Sequence, residues 1–314
     1  MSFKVVGIGE VLWDLLPSGP QVGGAPGNFA FHAYSLGADA AVITRVGGDN
    51  LGFEIKNRFE RLGIADGTMQ TDEEAPTGTV SVSLSGSGIP NFTIHEDVAW
   101  DRLAITPQAL AAVEAADAVC FGSLAQRNEP SRTSIQKLVA ASSSKSLRVF
   151  DINLRQNFYS TDVIRASLEL ANVFKLNDSE LEVLARMFRL TGSVREQVEQ
   201  LAREFDLHVI ALTRGPSGSL LFQAGEWADQ TSAPTAVVDT VGAGDAFTAA
   251  LVMGLLLKRK IAEISQLADE VARYVCSCPG ATPALPKAIC ERFANNLHPH
   301  PIPAKLTGGI RASM

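Results

Sequence analysis

The sequence predicts an α/β protein with a mainly parallel sheet and helices on both faces. Short apolar runs at 4–8, 41–46, 118–121, 148–152, 172–176 and 208–213 have strand character. Segments of helical period separate them, which is the alternation of βαβ units. The bulk composition, 46% hydrophobic and 19% charged, suits a well-packed globular chain and not a disordered one.

Taken in order, the strand at 4–8 leads into Gly7-Ile8-Gly9. Leu12 stands where a dinucleotide fingerprint needs its third glycine, and Glu10-Val11-Leu12-Trp13-Asp14 reads as extended. Hydride transfer therefore has little support. Helical patterns follow at 28–36 and 52–62. The alternation breaks at 77–84, where β-branched residues recur with a period of two. A turn at 85–90 and a second strand at 91–95 complete a hairpin. This hairpin is either part of a small β lid over the sheet edge or an edge hairpin without a mobile role. Helices are expected at 107–115, 131–141, 162–171, 179–188 and 193–205, with a solvated serine-rich loop at 141–146. The run 246–257 reads as a buried helix, and no repeat or domain-breaking linker is visible.

A net charge of −7 argues against a nucleic-acid surface. Cysteines at 120, 276, 278 and 290 lack Cys-x-x-Cys spacing, so reduced thiols are expected rather than a zinc site or disulfides. The start of the chain lacks a secretory pattern, and the run 246–257 is too short to span a bilayer. A soluble, cytoplasmic protein is expected.

The stretch Asp239-Thr240-Val241-Gly242-Ala243-Gly244-Asp245 precedes that buried helix. Amides at a helix start lack intrahelical partners, and the helix dipole adds positive potential, so the turn can bind an anion such as phosphate. Asp245 in that cradle is a candidate base for a hydroxyl proton. The same pattern describes an ordinary cap, with Asp245 satisfying orphan amides. No Gly-x-x-x-x-Gly-Lys-Ser/Thr P-loop competes for the phosphate role.

Gly23-Gly24-Ala25-Pro26-Gly27-Asn28-Phe29-Ala30, with Gly37 and Gly47 following, resembles the N-terminal signature of the ribokinase-like (PfkB) sugar kinases. The segment from Asp239 to Phe247 resembles that family's C-terminal signature, and secondary motifs extend the likeness from Val5 to about Pro286. The tail from Ala288 onward carries no motif that can be placed. The resemblance implies one ribokinase-like three-layer α/β/α domain over 1–314, with a small β-strand lid drawn from about 10–22 and 75–101. It also implies ATP-dependent phosphorylation of a sugar hydroxyl. Asp245 would then be the base, and Gly242, Ala243 and Gly244 the anion hole. Asp14, Gly24 and Asn28 match positions that bind substrate hydroxyls. The rival readings are a strand-end charge for Asp14 and a helix N-cap for Asn28. Trp13 and Trp100 could stack on a sugar face or be buried structural aromatics.

Asp151-Ile152-Asn153-Leu154-Arg155 resembles the Asp-x-Asn-x-Arg segment of fructokinases and ketodeoxygluconate kinases. Arg155 is then a donor to substrate or to the transferring phosphate, with an ion pair to Asp151 as the rival. Asn177-Asp178-Ser179-Glu180 resembles the family's Asn-x-x-Glu motif, which implies Asn177 at the nucleotide and Glu180 at magnesium through water. Asp178 as a helix cap is the alternative. Thr213, Gly215 and Gly218 match the ATP loop. Asp239, with Val241 and the Gly280-Ala281 turn, resembles a potassium loop. Relatives commonly pair through their lids, so a homodimer is implied.

Gly9-Glu10-Val11-Leu12-Trp13-Asp14-Leu15-Leu16-Pro17 and Gly-Gly-Ala-Pro look more like fructokinases than ribokinases. Fructose is the expected substrate. Ile94 to Asp101 departs from the pattern, since an Arg is expected after the lid aromatic; His95 and Asp97 read as solvated. Ketodeoxygluconate, ribose and nucleoside kinases are the alternatives, followed by a catalytically silent sugar-binding protein.

Overall fold

The computed structural model describes residues 2–16, 19–64, 67–84 and 90–294; most of the segment where a turn is expected, 85–89, and the chain after 294 lie outside them. In chain order the strands are β1 (Lys4–Ile8), β2 (Leu12–Leu16), β3 (Gly19–Gly23), β4 (Asp39–Gly47), β5 (Met69–Asp72), β6 (Thr79–Leu84), β7 (Pro90–Ile94), β8 (Ala118–Phe121), β9 (Leu147–Asp151), β10 (Val173–Asn177), β11 (Val209–Thr213), β12 (Ser219–Gln223) and β13 (Glu226–Gln230). The helices are α1 (Ala25–Ser35), α2 (Asn50–Arg61), α3 (Pro107–Glu114), α4 (Glu129–Ala141), α5 (Thr161–Leu170), α6 (Asp178–Phe188), α7 (Val194–Glu204), α8 (Ala243–Leu256), α9 (Ile261–Cys276) and α10 (Lys287–Phe293).

The large sheet runs β13-β12-β11-β10-β9-β8-β1-β4-β5. Every pairing from β11 to β5 is parallel, and the β12–β13 hairpin adds antiparallel pairings at one edge. Successive strand residues face opposite sides, and both sides are covered. Val6, Ile8, Val119, Phe121, Phe150, Phe174 and Ile210 belong to one core with residues of α3 to α7. Val5, Ala118, Cys120, Val149, Val173, Val209 and Ala211 belong to the other, with residues of α1, α8 and α9. Side chains are smaller on this second face, where α8 lies close: Ala246, Ala249 and Ala250 are fully buried. A helix apolar on every side belongs in a core. This is the three-layer α/β/α arrangement expected.

The smaller sheet runs β3-β2-β6-β7. It is mixed: β2–β3 and β6–β7 pair antiparallel, β2–β6 parallel. The extended reading of 10–14 and the hairpin reading of 77–95 both match this backbone.

Several expectations need correction. The first helix starts at Ala25, not at 28, because Pro26 suits a first turn where its missing N–H costs nothing. Ser142 and Ser146 are buried rather than solvated, donating to the carbonyls of Val139 and Ala116. β5, β12, β13 and α9 lie in segments where no element was expected, and α10 occupies part of the tail that carries no motif. The four cysteines are free, as expected. No helix among the described residues is long and apolar enough to cross a membrane.

Candidate active site

Crossovers lead from β1 to β4 and β5 on one side, and from β8 through to β11 on the other. The strand order therefore reverses at β1 and β8, and such sheets open a crevice at the carboxyl ends of the strands there. Glu10 and Asp14 follow β1, Asp151 ends β9, Asn177 ends β10 and Thr213 ends β11.

α8 begins where the backbone turns through Gly242, whose φ of 77° is left-handed. A side chain there would meet the Ala281 carbonyl oxygen at 2.5 Å from its Cβ. Only glycine fits both the angle and the space. Ala243, Gly244 and Asp245 form the first turn, whose amides point out of the helix start. No side chain caps this terminus. Asp245 Oδ2 instead accepts from Asn28 Nδ2 at 2.8 Å, across a sequence separation of 217 residues. The cap reading of Asp245 is thus replaced by a tertiary contact. Asn28 lies within α1 and is not its N-cap, which is Gly24.

Burial, then the charge of Asp151, pushes the Asp245 carboxyl up to about 6 against the pull of Asn28, Lys175 and Arg155. Asp14 lies mid-strand in β2 and is partly buried, which raises its pKa to about 6 although Arg155 opposes the shift. It is not a strand-end charge. Glu10 is 3% exposed, and burial raises it to about 7, with Arg155 lowering and Asp245 raising. Gly24 has φ 107° and lies against the Glu10 carbonyl oxygen. Arg155 is exposed, and its guanidinium donates to its own neighbour's carbonyl on Leu154 at 3.1 Å. The expected rival pair with Asp151 does not form: Asp151 Oδ1 accepts from Lys175 Nζ at 3.1 Å.

Asn177 caps α6, accepting from Glu180 N at 2.9 Å, while Glu180 Oε2 accepts from Asn177 N at 2.8 Å. This reciprocal box corrects the assignment of the cap to Asp178. Glu180 Oε1 also accepts from Leu154 N at 2.9 Å, tying α6 to the loop that carries Arg155. Thr213 donates to the Leu176 carbonyl at 3.3 Å, Gly215 opens an exposed turn and Gly218 is buried before β12. Asp239 accepts from Val241 N at 3.0 Å and Gly280 N at 3.1 Å, joining the two loops. Trp13 and Trp100 are both fully buried, so they are core aromatics and not sugar-stacking faces. His95 and Asp97 are exposed, as expected.

A family model described as pfkB family carbohydrate kinase matches residues 20–288. The chain belongs to the PfkB carbohydrate kinases. A sugar kinase of Pyrococcus horikoshii is 30% identical over 270 residues, covering 80% of this chain and 82% of its own. Its structure in complex with ATP superposes with a TM-score of 0.75 over 88% of this chain and 94% of that one. An Escherichia coli fructokinase is 29% identical over 311 residues, covering 91% and 97%. A Vibrio cholerae fructokinase structure bound to fructose, ADP and calcium, 24% identical, shares the fold with a TM-score of 0.78 over 93% and 98%.

This PfkB chain is a phosphotransferase with a sugar hydroxyl as acceptor. Sequence reasoning overlooked two buried charged groups that interact with Asp245. Lys175 had a signal, since a lysine inside the apolar strand Val173–Asn177 demands a partner. Glu10 had none beyond its place one residue after Gly9, because burial of a carboxylate is not written in its neighbours.

Proposed function

We propose that this PfkB kinase is an ATP-dependent fructokinase in which Asp245 is the general base. The observation that carries this is the Asp245 carboxylate, bonded by Asn28 at the start of α8, a helix terminus that no side chain caps. A base so held can take the proton of a sugar hydroxyl as it attacks phosphorus, and its raised pKa suits that task. The amides of the Gly242–Gly244 turn then hold the charge that builds on the transferring group. Asp14 and Asn28 orient the sugar, since a carboxylate or amide can bind two neighbouring hydroxyls. Arg155 adds a permanently charged fork at the same crevice, and Asn177, Thr213, Gly215 and Gly218 line the nucleotide side.

Among the described residues no cluster of three or more His, Cys, Asp or Glu could hold a metal directly. Magnesium fits nonetheless, because it retains waters and needs few protein ligands. Each Glu180 oxygen accepts one backbone N–H and keeps a second lone pair for a metal-bound water. Bound with ATP, magnesium would neutralise phosphate charge. Asp239 fits a potassium role, joining the two loops such an ion would bridge. Replacing potassium by tetramethylammonium should lower turnover, and unchanged turnover removes that role.

The smaller sheet is the lid of this reading, and two copies pair through it. Fructokinase relatives over 91% of the chain support fructose. A panel of fructose, ribose, ketodeoxygluconate and adenosine with ATP and magnesium, read as ADP formed, decides the acceptor. Fructose should give the highest kcat/KM; a preference for adenosine or ketodeoxygluconate would replace the fructose assignment.

A further inference from the structure

Lys175 sits in the middle of β10 with 6% of its surface exposed. A buried ammonium is costly unless paired, and its partner is Asp151, whose Oδ1 accepts from Nζ at 3.1 Å. The other Asp151 oxygen, Oδ2, accepts from Thr248 Oγ1 at 2.7 Å, and Thr248 lies 3.0 Å from the Gly244 carbonyl in the same helix. A Cβ placed on Gly244 would stand 3.1 Å from Lys175 Nζ. The ammonium therefore packs against the first turn of α8, beside the amides of the Gly242–Gly244 turn.

An ammonium has three N–H donors. One goes to Asp151, and no other acceptor for them is found among the described residues. Burial opposes the Lys175 charge, but Asp151, Glu180 and Asp245 outweigh it and keep the group protonated.

We propose that Lys175 is a further residue of the phosphoryl-transfer site, placing a fixed positive charge behind the anion hole where negative charge builds during transfer. Asp151 and Thr248 are positioning residues that hold this ammonium against α8. The inference rests on the reading of Asp245 and the Gly242–Gly244 turn as the reaction centre. Preorganised charge of this kind acts on the transition state more than on bound substrates, because it meets the charge only as it develops.

The decisive variant is the double substitution Lys175→Met with Asp151→Asn, which removes both charges and leaves no uncompensated carboxylate. Lys175→Gln is the second variant; it deletes the charge and keeps a donor for Asp151. In whichever variant retains the wild-type thermal midpoint, kcat should fall about fiftyfold or more, near the lower end for one anion-hole donor. KM for sugar and for ATP should stay within about threefold. Affinity for ADP with sugar and aluminium fluoride, a mimic of the transferring group, should weaken in parallel with kcat, while affinity for ADP alone does not. A folded variant with kcat within about threefold of wild type overturns the proposal. So does loss of ADP affinity equal to the loss in kcat. Failure of the underlying reading would show separately, as full turnover in Asp245→Asn with Lys175 intact.

Discussion

Asp245→Asn should lower kcat by on the order of a thousandfold or more while the fold survives. Asparagine has the shape of aspartate and can still accept from Asn28 Nδ2 through its carbonyl, so the 2.8 Å contact that joins α1 to α8 can persist. What disappears is the group able to take a proton. Removing a partly buried carboxylate raised to about 6 also relieves a desolvation cost, so the thermal midpoint should hold or rise at neutral pH. The sign follows from linkage. A carboxyl whose folded pKa exceeds its unfolded value favours the folded state fully at low pH, and that contribution is lost as pH rises through about 6. Steady-state ADP formation with fructose, set beside a melting curve, checks both halves. A variant that phosphorylates sugar at near the wild-type rate removes Asp245 from the chemistry.

Gly242→Val should be nearly as damaging, by a different route. The φ of 77° disfavours any β-branched residue, at a cost of about 1–3 kcal/mol. The new Cβ would also press on the Ala281 carbonyl oxygen, at 2.5 Å, and on its Cα at 2.7 Å. Either the turn or the 280–281 segment must move, and both border the helix start that carries Asp245. Displacing the amides should lower kcat by at least several hundredfold, within the range known for losing a single oxyanion donor. A lower melting midpoint should accompany the loss. Full turnover at a reduced midpoint would show that the turn is structural only.

Much of this architecture was legible because burial on two faces leaves a plain signal. Strands such as Val119–Phe121 and Ile210–Leu212 are apolar at successive positions, since helices cover both sides of the sheet. β12 and β13 were missed because their turn is Ala224-Gly225, with positive φ at both positions, and alanine is a poor advertisement for that conformation. β5 is four residues long at a sheet edge. By contrast α9 carried a readable stripe, Ile261, Ile264, Leu267, Ala268, Val271 and Val275, which was passed over. At the candidate site, the glycine at 242 was legible because a positive φ and close backbone approach restrict residue type. The partners of Asp151 were not. Its link to Lys175 spans 24 residues and its link to Thr248 spans 97, and nothing local encodes either.

The central claim is that an ionised Asp245 accepts the proton of the sugar hydroxyl. The pH dependence of kcat/KM for the sugar, compared between wild type and Asp245→Asn, tests it most directly, because that ratio reports groups titrating in the free enzyme. Wild-type activity should be level above neutrality and fall about tenfold per unit below an inflection near the raised Asp245 value of about 6. The residual activity of Asp245→Asn should fall less steeply, keeping only the part of the limb that Asp14 and Glu10 contribute. A wild-type profile that stays flat down to about pH 5, or an acid limb that survives unchanged in Asp245→Asn, would contradict the account.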